Sequence, residues 1–239
     1  MRVHVRVAAG MLLLAPFVLG MAQCVAFAPP ATVGVRDGAR LTDARAGAAR
    51  VGTTVLLPTP TTVALDTGYR YRIAPDVELD GAIYAAAVGK IGFGAVHGGL
   101  RLRLADTDRF AVSVTPGIAY GHSFIGGAGT WADAVGLDYG LAASVRIAGT
   151  AARGLELGVG FRAQGVAGPT RYVDEDTGIV VHGYDSKLYL FPSAALHLHV
   201  APMVTLAAEA TWWIQYDVQD VRWAGLGVPF VGLGVEWTR

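Results

Sequence analysis

Val204-Thr205-Leu206-Ala207-Ala208-Glu209-Ala210-Thr211-Trp212-Trp213-Ile214-Gln215-Tyr216-Asp217 separates into two lists when every second residue is taken. One is Val204, Leu206, Ala208, Ala210, Trp212, Ile214 and Tyr216; the other is Thr205, Ala207, Glu209, Thr211, Trp213, Gln215 and Asp217. Alternate side chains of an extended strand point to opposite faces, so one face is apolar and the other carries the polar groups. A helix would scatter Glu209, Thr211 and Gln215 around its cylinder. The segment therefore reads as a β-strand, about twice the length usual in a soluble sheet. Several such strands together make a transmembrane β-barrel.

The alternation recurs along the chain on both sides of this stretch. Upstream, Leu188 to Val200 sets Leu188, Leu190, Leu196 and Leu198 against Lys187, Tyr189, Ser193, His197 and His199. The same pattern runs through 49–57, 63–73, 77–84, 91–104, 110–120, 135–147 and 155–164, and downstream through 231–237. Pro116 removes a ladder donor, and a bulge is expected there. The reading is all-β, a membrane-spanning antiparallel up-and-down barrel of about ten strands, with eight as the alternative, since bacterial barrels take even numbers. Turns near 75, 106, 151 and 202 are short, and so are the two early connections near 59 and 88, which support the pattern only weakly. Connections near 127, 175 and 221 are long, the expected loops being 122–133, 165–185 (the longest) and 218–225. Short turns belong to the periplasmic side and long loops to the outside, and a periplasmic N-terminus puts every long connection outside.

Composition supports this. Of 239 residues, 53% are hydrophobic and 16% charged, with 32 glycines, and mean hydropathy is +0.42. Beyond the first two dozen residues no apolar run of about 18 residues occurs, which excludes a helical membrane protein. Nineteen basic residues balance nineteen acidic ones, leaving no basic face for nucleic acid.

Residues 1–22 read as a secretory signal, with Arg2 and Arg6 before an apolar stretch centred on Leu12-Leu13-Leu14. Residues 23–47 follow no period and read as a flexible periplasmic leader, for which the barrel mouth is one place to pack; residues 48–239 are the barrel. Cys24 is the only cysteine, so no intrachain disulfide forms. It is the candidate for lipidation, against a preceding Met21-Ala22-Gln23 that matches a lipobox poorly; plain cleavage, with Cys24 removed or free, is the default.

Inward-facing positions collect the charges. Basic members are Arg50, Arg70, Arg72, Arg101, Arg103, Arg146, Arg162 and Lys187; acidic ones are Asp66, Glu78, Asp80, Asp138, Glu156, Glu209 and Glu236. Charges taken out of water must be paired or solvated. A packed salt-bridge core suits the narrow lumen of a ten-strand barrel, and the inward Tyr84, Tyr189, Phe191 and Trp213 add bulk. The alternative is a thin polar channel for ions or small solutes.

No cofactor motif is present. His197 and His199 share the inward face and would need a third ligand, such as His97, to hold zinc. Asp174-Glu175-Asp176 lacks the remaining oxygen ligands of a calcium loop. His122-Ser123, and His182 with Asp185, are raw materials for an outer-membrane hydrolase, but their spacing matches no catalytic motif. The glycines Gly92, Gly94, Gly98 and Gly99 precede no helix and are not a phosphate loop.

Two segments carry a resemblance to a family. Gly68-Tyr69-Arg70-Tyr71 passes through a short Pro-Asp corner into Val77-Glu78-Leu79, and the chain finishes on Val231-Gly232-Leu233-Gly234-Val235-Glu236-Trp237. Over residues 48 to 239 the sequence resembles small outer-membrane β-barrel proteins of Gram-negative bacteria. It departs from their terminal pattern in that Thr238 and Arg239 follow Trp237. The resemblance implies an outer-membrane location, contact with membrane lipid and lipopolysaccharide, and assembly through the C-terminal strand by the barrel-assembly machinery. It implies a monomer; being one of pattern, it carries no catalytic signature and leaves the activity open.

Overall fold

The computed structural model describes residues 38–42, 47–56, 63–88, 90–125, 129–174, 177–218 and 222–238. Residues 1–22, expected to be a secretory signal, and Cys24 lie outside the described residues.

Ten strands run in chain order: β1 Gly47–Leu56, β2 Val63–Ala74, β3 Val77–Val88, β4 Ile91–Asp106, β5 Phe110–Ile125, β6 Thr130–Gly149, β7 Gly154–Val173, β8 Val180–Ala201, β9 Val204–Asp217 and β10 Arg222–Thr238. Each pairs antiparallel with its neighbour in sequence, and β1 pairs β10, which closes the barrel. Closure removes the open sheet edges that lipid could not satisfy. At the seam Arg50 stands opposite Glu236 and Val51 opposite Val235.

Burial is inverted relative to a soluble protein. Leu137 is 74% exposed and Ile118 63% on the outward face, while Glu78, Asp138, Glu156, Arg70 and Arg101 are buried inside. In water this would forfeit about 25 cal/mol for every Å² of apolar surface left uncovered; in lipid it is the stable arrangement. Exposed aromatics on the outward face include Tyr69, Tyr71, Phe110 and Trp237 toward the short-turn end and Tyr120 and Phe124 toward the other.

The four hairpins that turn after β2, β4, β6 and β8 share a corner, which the equally short β3–β4 hairpin at the other end lacks. Register shifts fall between Arg72 and Ala74, Arg103 and Ala105, Arg146 and Ala148, and His199 and Ala201. The local sequences are Arg-Ile-Ala, Arg-Leu-Ala, Arg-Ile-Ala and His-Val-Ala. In each, the bulged middle residue (Ile73, Leu104, Ile147 or Val200) is exposed on the outward face. A bulge bends its strand and re-aims neighbouring side chains. The three arginines accordingly turn toward turn carbonyls: Arg72 and Arg103 both donate to Pro75 O, and Arg146 donates to Asp108 O.

The structure corrects several boundaries. The expected loop 165–185 is mostly strand, because β7 runs to Val173 and β8 begins at Val180. Likewise β5 reaches Ile125 and β6 starts at Thr130, so 122–133 is chiefly a hairpin; β10 begins at Arg222 rather than after residue 225. Inward positions such as Ser123, Thr130, Ala132 and Val166 stay buried in these extensions, whereas at the β7–β8 tip residues 180–184 are exposed on both faces and alternation disappears. Pro116 interrupts the β4–β5 ladder without a bulge: Gly99 pairs Gly117 and Leu102 pairs Val114 in one unbroken register. The shift lies instead at the Arg103 corner.

Candidate functional site

The interior divides into two zones. Toward the short-turn end it is ionic, and residues 38–42 of the leader lie inside it. Arg70 pairs with Glu78 at 3.2 Å and with Glu236 at 2.5 Å. Arg101 pairs with Asp80 at 3.1 Å, and Arg50 lies 3.6 Å from Asp66. At mid-barrel Arg162 and His97 converge on Asp138, at 2.8 and 2.6 Å. Glu209 accepts from Thr211 Oγ1 at 2.8 Å. Burying such groups is tolerable because each charge meets an opposite charge or a hydrogen bond.

Arg40 of the leader is the residue that sequence reasoning missed. Its guanidinium reaches Glu156 at 2.8 Å and Asp106 at 2.5 Å, and also donates to Thr107 O at 2.8 Å. Nothing in the aperiodic leader marks Arg40 apart from its neighbours. Thr42 donates through its backbone N–H and its Oγ1 to Glu78 Oε1, the hydroxyl bond being 2.6 Å. Beside the leader a cleft of about 480 Å³ opens toward the short turns.

Three inward arginines belong to the rim rather than to the buried network. Arg103 pairs with Asp76 and Asp106 at the turns, Arg146 caps Asp108 O, and Arg72 caps Ala74 O, Pro75 O and the leader's Thr42 O. Lys187 stands at the opposite end, 2.9 Å from Asp185.

Above the charges, toward the longer strands, the lumen is filled by aromatics and small residues. Tyr189 and Phe191 are 0% and 1% exposed and pack on Ala132, Ala134 and Val166. Trp213 lies 5.9 Å from the rings of both Tyr189 and Phe230. Across the lumen Tyr84 packs with Ala64, Ala86, Ala95 and Phe93. Aromatic pairs at these centroid separations add to the burial of their own area.

The metal and catalytic candidates separate. His197 and His199 both face inward, His199 with Nδ1 2.9 Å from Thr205 Oγ1, whereas His97 is committed to Asp138 and Arg162. Among the described residues no three His, Cys, Asp or Glu side chains are grouped to hold a metal ion. Asp174 caps its own turn by accepting from Thr177 N at 2.9 Å, and residues 175 and 176 lie outside the described residues. His122 and Ser123 point to opposite faces: Ser123 is buried inside, while His122 faces outward, 3.0 Å from Asp133 and beside Tyr120. His182 is exposed near the β7–β8 tip, and Asp185 is held by Lys187.

The β-barrel of the outer-membrane protease OmpT from Escherichia coli superposes with a TM-score of 0.50 at 10% identity, over 84% of this chain and 99% of that one. The chain has the fold of an outer-membrane β-barrel. The N-terminal barrel domain of Pseudomonas aeruginosa OprF matches at 15% identity and TM-score 0.36, covering 82% and 98% of the two chains. The Yersinia pestis protein Ail matches at 10% identity and TM-score 0.30, covering 81% and 95%. No family model and no curated protein matches the sequence. An outer-membrane barrel with an outward face that only lipid can cover resides in the outer membrane.

Proposed function

We propose that this outer-membrane barrel is sealed, and that its working surface is the loop end formed by the extended β5–β8 hairpins. The observation that carries this is the aromatic layer of Tyr189, Phe191, Trp213 and Phe230, packed against alanines where a solute path would have to run. The leader and its ionic contacts occupy part of the lumen below it, beside the cleft. In this reading the lumen charges serve packing, and binding or structural roles fall to the exposed Tyr172, Ile179, Val181 and Tyr184 of the β7–β8 tip. The barrel acts as a monomer without catalysis, with membrane lipid and lipopolysaccharide around its apolar belt. Its last strand is the segment through which the barrel-assembly machinery receives it.

Planar-bilayer recording of the purified protein tests the seal. Silence is expected. Steady ion-selective steps, altered by Arg101→Ala or Glu209→Ala, would establish a narrow channel instead. Orientation is read separately: Thr177→Cys should label with an impermeant maleimide on intact cells, and protection there would reverse the topology.

A further inference from the structure

The leader inside the barrel is held as a ligand is held. Three arginines from the wall each donate to a different leader carbonyl, and the carbonyls are every second one. Arg101 donates to Gly38 O at 3.0 Å, Arg70 to Arg40 O at 3.2 Å and Arg72 to Thr42 O at 2.7 Å. Such contacts grip a backbone whatever its side chains. Two further contacts read side chains. Glu156 and Asp106 together receive the guanidinium of Arg40, and Glu78, which is 0% exposed, receives the N–H and hydroxyl of Thr42. Charge-assisted bonds of this kind are the strong and geometrically selective ones. Gly38 adopts φ +67°, a conformation that suits glycine, where the segment enters. One flank of the segment borders the open cleft of about 480 Å³ lined by Arg50, Arg146, His199 and Thr205, so the site is not walled shut around it.

We propose that the short-turn half of the lumen is a peptide-binding site which residues 38–42 fill in cis. It selects an arginine followed two positions later by a hydroxyl residue, and it accepts a free peptide of that pattern in trans once the leader is disengaged. The inference goes beyond the sealed-barrel reading. Peptide binding is measured apart from conductance, so a conducting barrel would leave this test standing.

The test uses the full chain in detergent micelles carrying Arg40→Glu, which sets the leader's own side chain against Glu156 and Asp106. The probe is a fluorescein-labelled synthetic peptide of residues 33–47, Val-Gly-Val-Arg-Asp-Gly-Ala-Arg-Leu-Thr-Asp-Ala-Arg-Ala-Gly, followed by fluorescence anisotropy. Saturable binding is expected, and a peptide carrying Arg40→Glu should bind roughly tenfold or more weakly, since it sets a carboxylate against Glu156 and Asp106 in place of their partly buried guanidinium partner. A peptide with Arg36→Glu has the same net charge as that control and should bind like the parent. Unaltered protein, its site already filled, should bind the parent peptide roughly tenfold or more weakly than the variant does. The proposal is overturned if the variant binds no peptide, if the Arg36 and Arg40 substitutions weaken binding alike, or if unaltered protein binds as well as the variant. Folding is checked by the heat-dependent mobility shift of the barrel on gels, and Arg40→Ala replaces Arg40→Glu under the same criteria if the latter does not fold.

Discussion

The two ends of the barrel are built on different principles. At the short-turn end four hairpins repeat one corner, the basic side chains turn inward, and the lumen is ionic down to the leader contacts of Arg40 and Thr42. At the loop end no corner repeats, β6, β7 and β8 run to 20 residues or more, and the lumen holds Tyr189, Phe191 and Trp213. Ionic packing demands that each charge find its partner and is unforgiving of loss. Aromatic packing on alanines depends on volume and needs no directional match. The lower end is thus specified by pairs and the upper end by filling.

Substitutions separate these regimes. Asp138→Ala removes the carboxylate on which Arg162 and His97 converge and should cost about 3–5 kcal/mol, the penalty for removing one member of a buried pair; urea unfolding in lipid vesicles, followed by tryptophan fluorescence, reads it. A loss under about 1 kcal/mol would show that water already solvates the mid-lumen. Leu157→Arg or Val145→Arg, on the outward face, should cost about 2–4 kcal/mol in the same assay if lipid surrounds them. A neutral outcome would mean that the two faces are assigned backwards. Arg103→Ala removes partly exposed pairs with Asp76 and Asp106 and should cost only about 0.2–1 kcal/mol. A larger loss would make the corner arginines structural beyond their ion pairs. Tyr184→Ala, exposed at the loop end, should fall within about 0.5 kcal/mol of the parent, and a greater effect would mean that the tip folds against something the barrel itself supplies.

How much of this was legible follows from where lipid lies. Between the belts one face meets lipid and the other meets the lumen, so the period of two stays clean, and each of Arg70, Glu78, Asp80, Arg101, Asp138 and Glu209 faces inward as the alternation requires. At the β7–β8 tip, Val180, Val181 and His182 are strand residues exposed on both faces, and the sequence looks like loop although the backbone ladder continues. Pro116 misled for a different reason: a missing donor can be absorbed by skipping rungs, without inserting a residue. The pairing of Arg40 with Glu156 spans 116 positions, and no local pattern announces a contact made only when the barrel closes. The corners were visible in principle, as a basic–aliphatic–alanine triplet before each of the four turns, but only when the four segments are laid side by side.

That triplet makes the barrel a countable object. Each of these four hairpins carries its own bend and its own lipid-facing aliphatic, and Arg103 and Arg146 tie their hairpins to the preceding turn through Pro75 O and Asp108 O, while the β1–β10 seam draws on residues outside any corner. A bend and a lipid-facing side chain that recur with every hairpin make the hairpin the unit by which such a barrel grows or shrinks. Removing one corner with its two strands would leave an eight-strand barrel with the same seam and the same kind of rim. The circumference of this barrel is therefore set by how many times one short phrase of sequence is repeated.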